Sequence, residues 1–147
     1  MKAPLLARLL GLFAFAIGIA GFFPIATAPA DLTSPYLTIG RDYGFVAGLF
    51  ATNAVLDGLH AAFGIWGILA SFSFPRAVGF CRWTAWIFAL LFLLGVIPIT
   101  NTLFGVAPLY GHDIWLHLVI AIAAAFGGYG PASIPSPAGD DVLRPPG

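Results

Sequence analysis

The sequence predicts an all-α, polytopic membrane protein, with four transmembrane helices in two tandem hairpins that form a compact bundle. Three observations predict this. The 147 residues are 60% hydrophobic and 8% charged, with a mean hydropathy of +0.97, outside the range of soluble domains. Four stretches are long and apolar enough to cross a hydrocarbon core of about 30 Å as helices. Small residues recur on single faces of these stretches, as expected where helices pack closely in lipid. Formal net charge is zero, with six Asp, no Glu and six Lys and Arg, so no basic surface exists for nucleic acid. Cys81 is the sole cysteine, which excludes an internal disulfide and reads as a small apolar filler.

The first helix is expected near Leu5–Thr27, with Gly11, Ala14, Gly18 and Gly21 on its packing face. Lys2, Arg8, the apolar run and Ala26-Thr27-Ala28 also have the form of a secretory signal peptide. Pro29 would follow one cut and the apolar run exceeds a usual signal core, so a retained helix is expected. The second helix is placed at Val46–Phe72. Because that run is longer than one crossing needs, a start near Asn53 is the alternative, with Tyr43–Thr52 as an interfacial piece. Ser73-Phe74-Pro75-Arg76 reads as a connector to a third helix at Arg82–Ile99, and a fourth follows at Asp113–Tyr129. Together these make a transmembrane domain over residues 1–130. Residues 131–147, rich in Pro, Gly and Ser, read as a flexible cytoplasmic tail.

Lys2 and Arg8 precede the first helix, and Arg76 and Arg82 flank the middle loop, which places both termini and that loop in the cytoplasm. Most of the Trp and Tyr residues fall near helix ends, as interfacial anchors do. Trp66 lies deeper and reads as core or lipid packing.

Polar residues are scarce, which makes their positions informative. Asn53, Asp57 and His60 fall on one helical face, continued by Gly64, Gly67 and Ser71. Ionisable groups at membrane depth are costly, so they are expected to be buried, paired or functional. The chain also repeats itself in outline. Gly21-Phe22-Phe23-Pro24-Ile25 is echoed by Gly95-Val96-Ile97-Pro98-Ile99, and Asp57 with His60 by Asp113 with His117. The two polar faces are expected to meet inside the bundle.

Acid–histidine pairs at i,i+3 and i,i+4 are how bundle helices present metal ligands, and four such groups suit zinc or iron. The metal is left open. His60 with Gly64, or His117 with Ala121, has the form of a haem or chlorin site, the small residue leaving room for the ring. The structural alternative has Asp57 accepting from a histidine, Asn53 bridging to backbone, and Asp113 capping its own helix. A proton or ion path would need an oligomer, since four helices enclose little volume. No Ser–His–Asp order, phosphate loop or paired-carboxylate motif occurs, so an enzyme is not expected.

Asn-x-x-x-Asp-x-x-His within Phe50 to Gly67, and Asp-x-Trp-Leu-His within Pro108 to His117, resemble the small four-helix bacterial membrane proteins grouped as domain of unknown function 4383. The resemblance runs from about Leu9 to Tyr129 and implies the four-helix fold and a bacterial inner membrane. The family pattern carries Asn-x-x-His-Asn-x-x-His in the second helix, where this chain has Leu56 and Asp57 at the two middle polar positions. That departure argues against a three-histidine site, and the resemblance implies no activity. The expected role is an accessory or structural subunit of a larger membrane assembly, with a ligand on the buried His and Asp as its refinement. Its partners would be the lipid bilayer and other membrane subunits or further copies of itself.

Overall fold

A computed structural model describes residues 2–135, and most of the expected tail, residues 136–147, lies outside them. The chain is mainly helical: α1 (Ala3–Gly21), α2 (Ala54–Ala70), α3 (Phe74–Val96) and α4 (His112–Tyr129). Three short strands, β1 (Thr27–Pro29), β2 (Gly44–Val46) and β3 (Phe50–Thr52), separate α1 from α2. Helices α1, α3 and α4 are long and apolar enough to cross a membrane, while α2 is apolar but has 17 residues. A single-turn 3-10 helix at Pro131–Ser133 follows α4.

Local chemistry sets the helix ends. Helix α1 stops at Gly21, short of the expected Thr27, because Pro24 cannot continue the ladder and disfavours helix just before it. Helix α2 begins at Ala54, close to the later of the two expected starts. In the run before it, Ala47 and Gly48 take left-handed backbone with φ of 53° and 69°, which turns β2 back onto β3. Helix α3 begins eight residues before the expected Arg82. The Ser73-Phe74-Pro75-Arg76 segment is its first turn, with Ser73 at the N-cap and Pro75 where a missing N–H costs nothing.

Helix α1 packs chiefly on α2, and α3 chiefly on α4. The small stripe of α1, Gly11, Ala14, Gly18 and Gly21, is buried throughout. A Cβ added at Gly11 would lie 2.7 Å from the Ile68 nitrogen, and one at Gly18 would lie 2.5 Å from the Ala61 nitrogen. Gly64 faces Phe15, and Gly67 faces Gly11. Position numbers rise along one helix as they fall along the other, so the two run antiparallel with backbones in direct contact. In the second pair, Gly95 meets Leu109 and Ile114 while Gly127 and Gly128 meet Cys81 and Arg82, again antiparallel. Cys81 is fully buried beside Ala3, Leu6 and Ala77. The outward faces carry Trp83, Trp86, Trp115 and many exposed Leu and Ile residues, a surface suited to lipid. Trp66 packs edge-on against Phe63 and Phe80.

Each pair is closed at one end by an arginine. The Arg8 Nε donates to Ser71 Oγ at the end of α2, and the Arg82 Nε donates to the Gly128 carbonyl at the end of α4. Cations near unsatisfied helix C-terminal carbonyls also complement the helix dipole.

The opposite end is covered by the two long loops, and residues 46–52, expected as the start of the second helix or as an interfacial piece, form the end of β2, a turn and β3 there instead. The antiparallel sheet β1-β2-β3 pairs Thr27 with Val46 and Val46 with Phe50. The loop after α3 joins it: the Thr38 and Ile39 N–H groups donate to the Gly105 carbonyl, and Phe50 bridges to Gly111. The Tyr43 and Tyr110 hydroxyls hydrogen-bond, with Phe45 edge-on to Tyr110. Burial, together with that hydroxyl pair, pushes the Tyr110 phenol well above its ordinary range. Asn53 joins the two loops. Its Oδ1 accepts the Leu56 N–H as the N-cap of α2, and its Nδ2 donates to the Ile39 and Val106 carbonyls at 2.8 Å each.

Candidate functional site

Beneath this cap, β3 reaches both acids through adjacent residues. The Thr52 hydroxyl donates to Asp57 Oδ1 in the first turn of α2, and the Ala51 N–H faces the carboxyl of Asp113 in the first turn of α4. His60 and His117 lie about one turn farther from the cap along the same helices. Asp57 is 0% exposed, Asp113 3% and His117 1%.

The structure separates the expected site residues into two kinds. Asn53 is fully used in the cap, with both ends of its amide bonded. Asp57, His60, Asp113 and His117 each keep a buried polar atom without a hydrogen-bond partner among the described residues. Those atoms are Asp57 Oδ2, His60 Nδ1, Asp113 Oδ2 and His117 Nδ1. Each such group forfeits about 1–3 kcal/mol relative to a satisfied one. Asp57 bonds Thr52 rather than a histidine, and the Asp113 carboxyl turns toward β3 while Gly111 holds the N-cap of α4.

The two histidines are near enough to interact electrostatically, and Phe88 of α3 is a neighbour of both. Phe88 stacks edge-on against His117 at 5.4 Å between centroids, and it also lines a cavity with His60. That cavity holds about 230 Å³ between α2, α3 and the loop around residues 103–109.

No three His, Cys or Asp side chains converge among the described residues in the manner of a metal site, so the four groups do not form the expected ligand set. The haem or chlorin arrangement also lacks room at the expected place. A Cβ at Gly64 would lie 2.5 Å from the Phe15 nitrogen, so α1 fills the space a macrocycle would need. Ala121 is likewise buried, against Phe88 and Ile120. The small residues serve helix contact instead.

Sequence reasoning did not anticipate Ala51, Thr52, Phe88 or Leu103 as neighbours of these groups. Thr52 offered a faint signal, a hydroxyl just ahead of a buried acid at a helix start. The other three are brought in by tertiary structure alone.

The Asn-to-His segment of α2 and the Asp-to-His segment of α4 are thus both set at the capped end of one bundle. The model of the family described as "Domain of unknown function (DUF4383)" matches residues 5–129. The chain belongs to this family. No match was found for this DUF4383 chain among curated proteins or among solved structures. The family match spans α2, α3, α4, all but the first two residues of α1 and both loops of the cap, so it includes every residue of the candidate site.

Proposed function

We propose that this DUF4383 protein is a non-enzymatic accessory subunit of the bacterial cytoplasmic membrane that carries a ligand among its buried acid and histidine groups. It crosses four times as two tandem hairpins, with both termini cytoplasmic and the cap on the far side. At a rise of about 1.5 Å per residue, α2 is about 25 Å long, so its crossing requires slight bilayer thinning or help from the cap.

One observation carries the ligand reading: four ionisable side chains in a mainly apolar bundle retain buried polar atoms with no hydrogen-bond partner among the described residues. Such groups add little to folding, and apolar replacements of similar shape are often neutral or stabilising. Their presence fits a function better than a structural role. The accessory role is supported by the broad apolar exterior, which lipid or neighbouring subunits would cover.

Gentle extraction from the native membrane tests the reading, comparing wild type with His60→Ala and His117→Ala. Expected are migration with a larger assembly and a bound small molecule or chromophore band that the variants lose. A free monomer showing only Trp and Tyr absorption and no bound molecule would contradict it.

A further inference from the structure

We infer that the cavity beside His60 binds the oxygen-bearing ring of a lipid-soluble quinone or phenol. This rests on the ligand-carrying reading above and assigns its place and chemical class.

Size limits the occupant. The cavity of about 230 Å³ lies between an apolar cavity of about 150 Å³ that takes benzene and the range from about 300 Å³ typical of drug-sized ligands. One substituted six-membered ring fits there; a macrocycle does not. Phe63 and Phe88, with centroids 5.2 Å apart, both line it and offer aromatic surfaces to such a ring.

Chemistry narrows it further. His60 is the one ionisable or hydrogen-bonding side chain in an otherwise aliphatic and aromatic lining. A neutral imidazole offers one donor and one acceptor, which suits a ring carbonyl or hydroxyl. The mouth lies on the outward surface, where Leu59 is 56% and Ile87 38% exposed. A ring can therefore enter from the bilayer and leave its alkyl tail there.

The wall nearest the cap adds an independent sign. Leu103, which lines the cavity, and the adjacent Phe104 both have left-handed backbone, with φ of 45° and 57°. Non-glycine residues adopt this at a cost that surrounding structure must offset, and such strain clusters at binding sites. Here the Gly105 carbonyl, held by the Thr38 and Ile39 N–H groups, fixes the turn.

The test is saturation binding to the full chain in lipid nanodiscs, with labelled decyl-1,4-benzoquinone and 4-decylphenol as separate probes and empty nanodiscs as background. Saturable binding is expected for at least one probe, and which one binds separates quinone from phenol. His60→Leu, which loses no hydrogen bond to any described residue, should weaken it about tenfold, the effect of one hydrogen bond. Ala107→Phe should abolish binding by filling the cavity, with thermal unfolding as the check that the fold persists. Absence of saturable binding for both probes, or wild-type affinity in His60→Leu, overturns the inference. If both probes fail while native extraction still yields a molecule dependent on His117, this site is wrong and the ligand-carrying reading stands.

Discussion

The two helix pairs solve the same packing problem with different residues. Equal spacing separates Arg8 from Arg82, Gly11 from Ala85 and Gly21 from Gly95 along α1 and α3. Another equal spacing separates His60 from His117, Gly64 from Ala121 and Gly67 from Ala124 along α2 and α4. At corresponding central positions the first pair thus has glycine where the second has alanine. In the first pair the backbones touch, with only 2.8 Å between a Cβ built at Gly67 and the Gly11 Cα. At the centre of the second, Ala85, Phe88, Ala121 and Ala124 are buried, and the backbones come as close only toward the end, where a Cβ at Gly128 would lie 2.9 Å from the Arg82 nitrogen. In lipid, where apolar burial drives little association, closeness of approach governs how strongly a pair holds. The first pair is therefore the more sensitive to added volume.

The comparison also corrects the repeat. Aligned on the histidines, Asp57 corresponds to Ile114, and Asp113 lies one residue out of step. The contacts agree: a Cβ at Gly21 would run into the Asp57 carboxyl, and one at Gly95 would lie 3.2 Å from the Ile114 side chain. A shift of one residue is about 100° on a helix, so the two acids face different neighbours. They are not equivalent members of a symmetric site, which accounts in part for their failure to converge on a metal.

The largest expected effect is at the glycine contact. Gly11→Leu should destabilise the protein by about 3 kcal/mol or more, while Ala85→Leu at the corresponding position should cost about 1–2 kcal/mol, measured by reversible unfolding in mild detergent. Equal losses would remove the distinction between the pairs. Next comes Asn53→Ala, which removes a helix cap and two loop ties and should cost about 2 kcal/mol, with faster proteolysis in residues 30–50. A smaller effect is expected when the first pair is given the residue of the second. Asp57→Ile leaves the buried Thr52 hydroxyl without its carboxylate acceptor and should cost about 1–2 kcal/mol, which Thr52→Val in the same chain should largely restore.

The smallest effect lies in the cap. The Asp31 carboxyl accepts from the Thr33 side chain and N–H and from the Ser34 hydroxyl, and these bonds, the Thr33 side chain foremost, hold its pKa below 3.8. A lowered carboxylate pKa favours the ordered turn above the unfolded value, and that contribution is lost as pH falls through the folded one. Thr33→Ala should move the Asp31 titration, followed by NMR, back toward 3.8.

Much of the helical framework was legible in the sequence because apolar length and small-residue spacing report directly on membrane helices. The stripe from Gly11 to Gly21, and Asp57, Gly64 and Gly67 on the inward face of α2, were readable for that reason. The cap was not, because strands of three residues carry too little alternation to stand out from an apolar run. The left-handed turn at Ala47 was hidden as well, since alanine ordinarily signals helix. For the site, the sequence singled out the ionisable residues but not their geometry. Which of them are satisfied depends on β3 and on the loop after α3, whose positions only the fold determines.

On the proposed function, His60 and His117 are kept for a ligand and not for the fold. The direct measurement is the unfolding free energy of His60→Leu/His117→Leu beside wild type, both stripped of bound molecules, together with the ligand content of each after native extraction. Stability equal to or up to about 2 kcal/mol above wild type is expected, with the bound molecule lost. A loss of several kcal/mol with unchanged ligand content would make the histidines structural and contradict it.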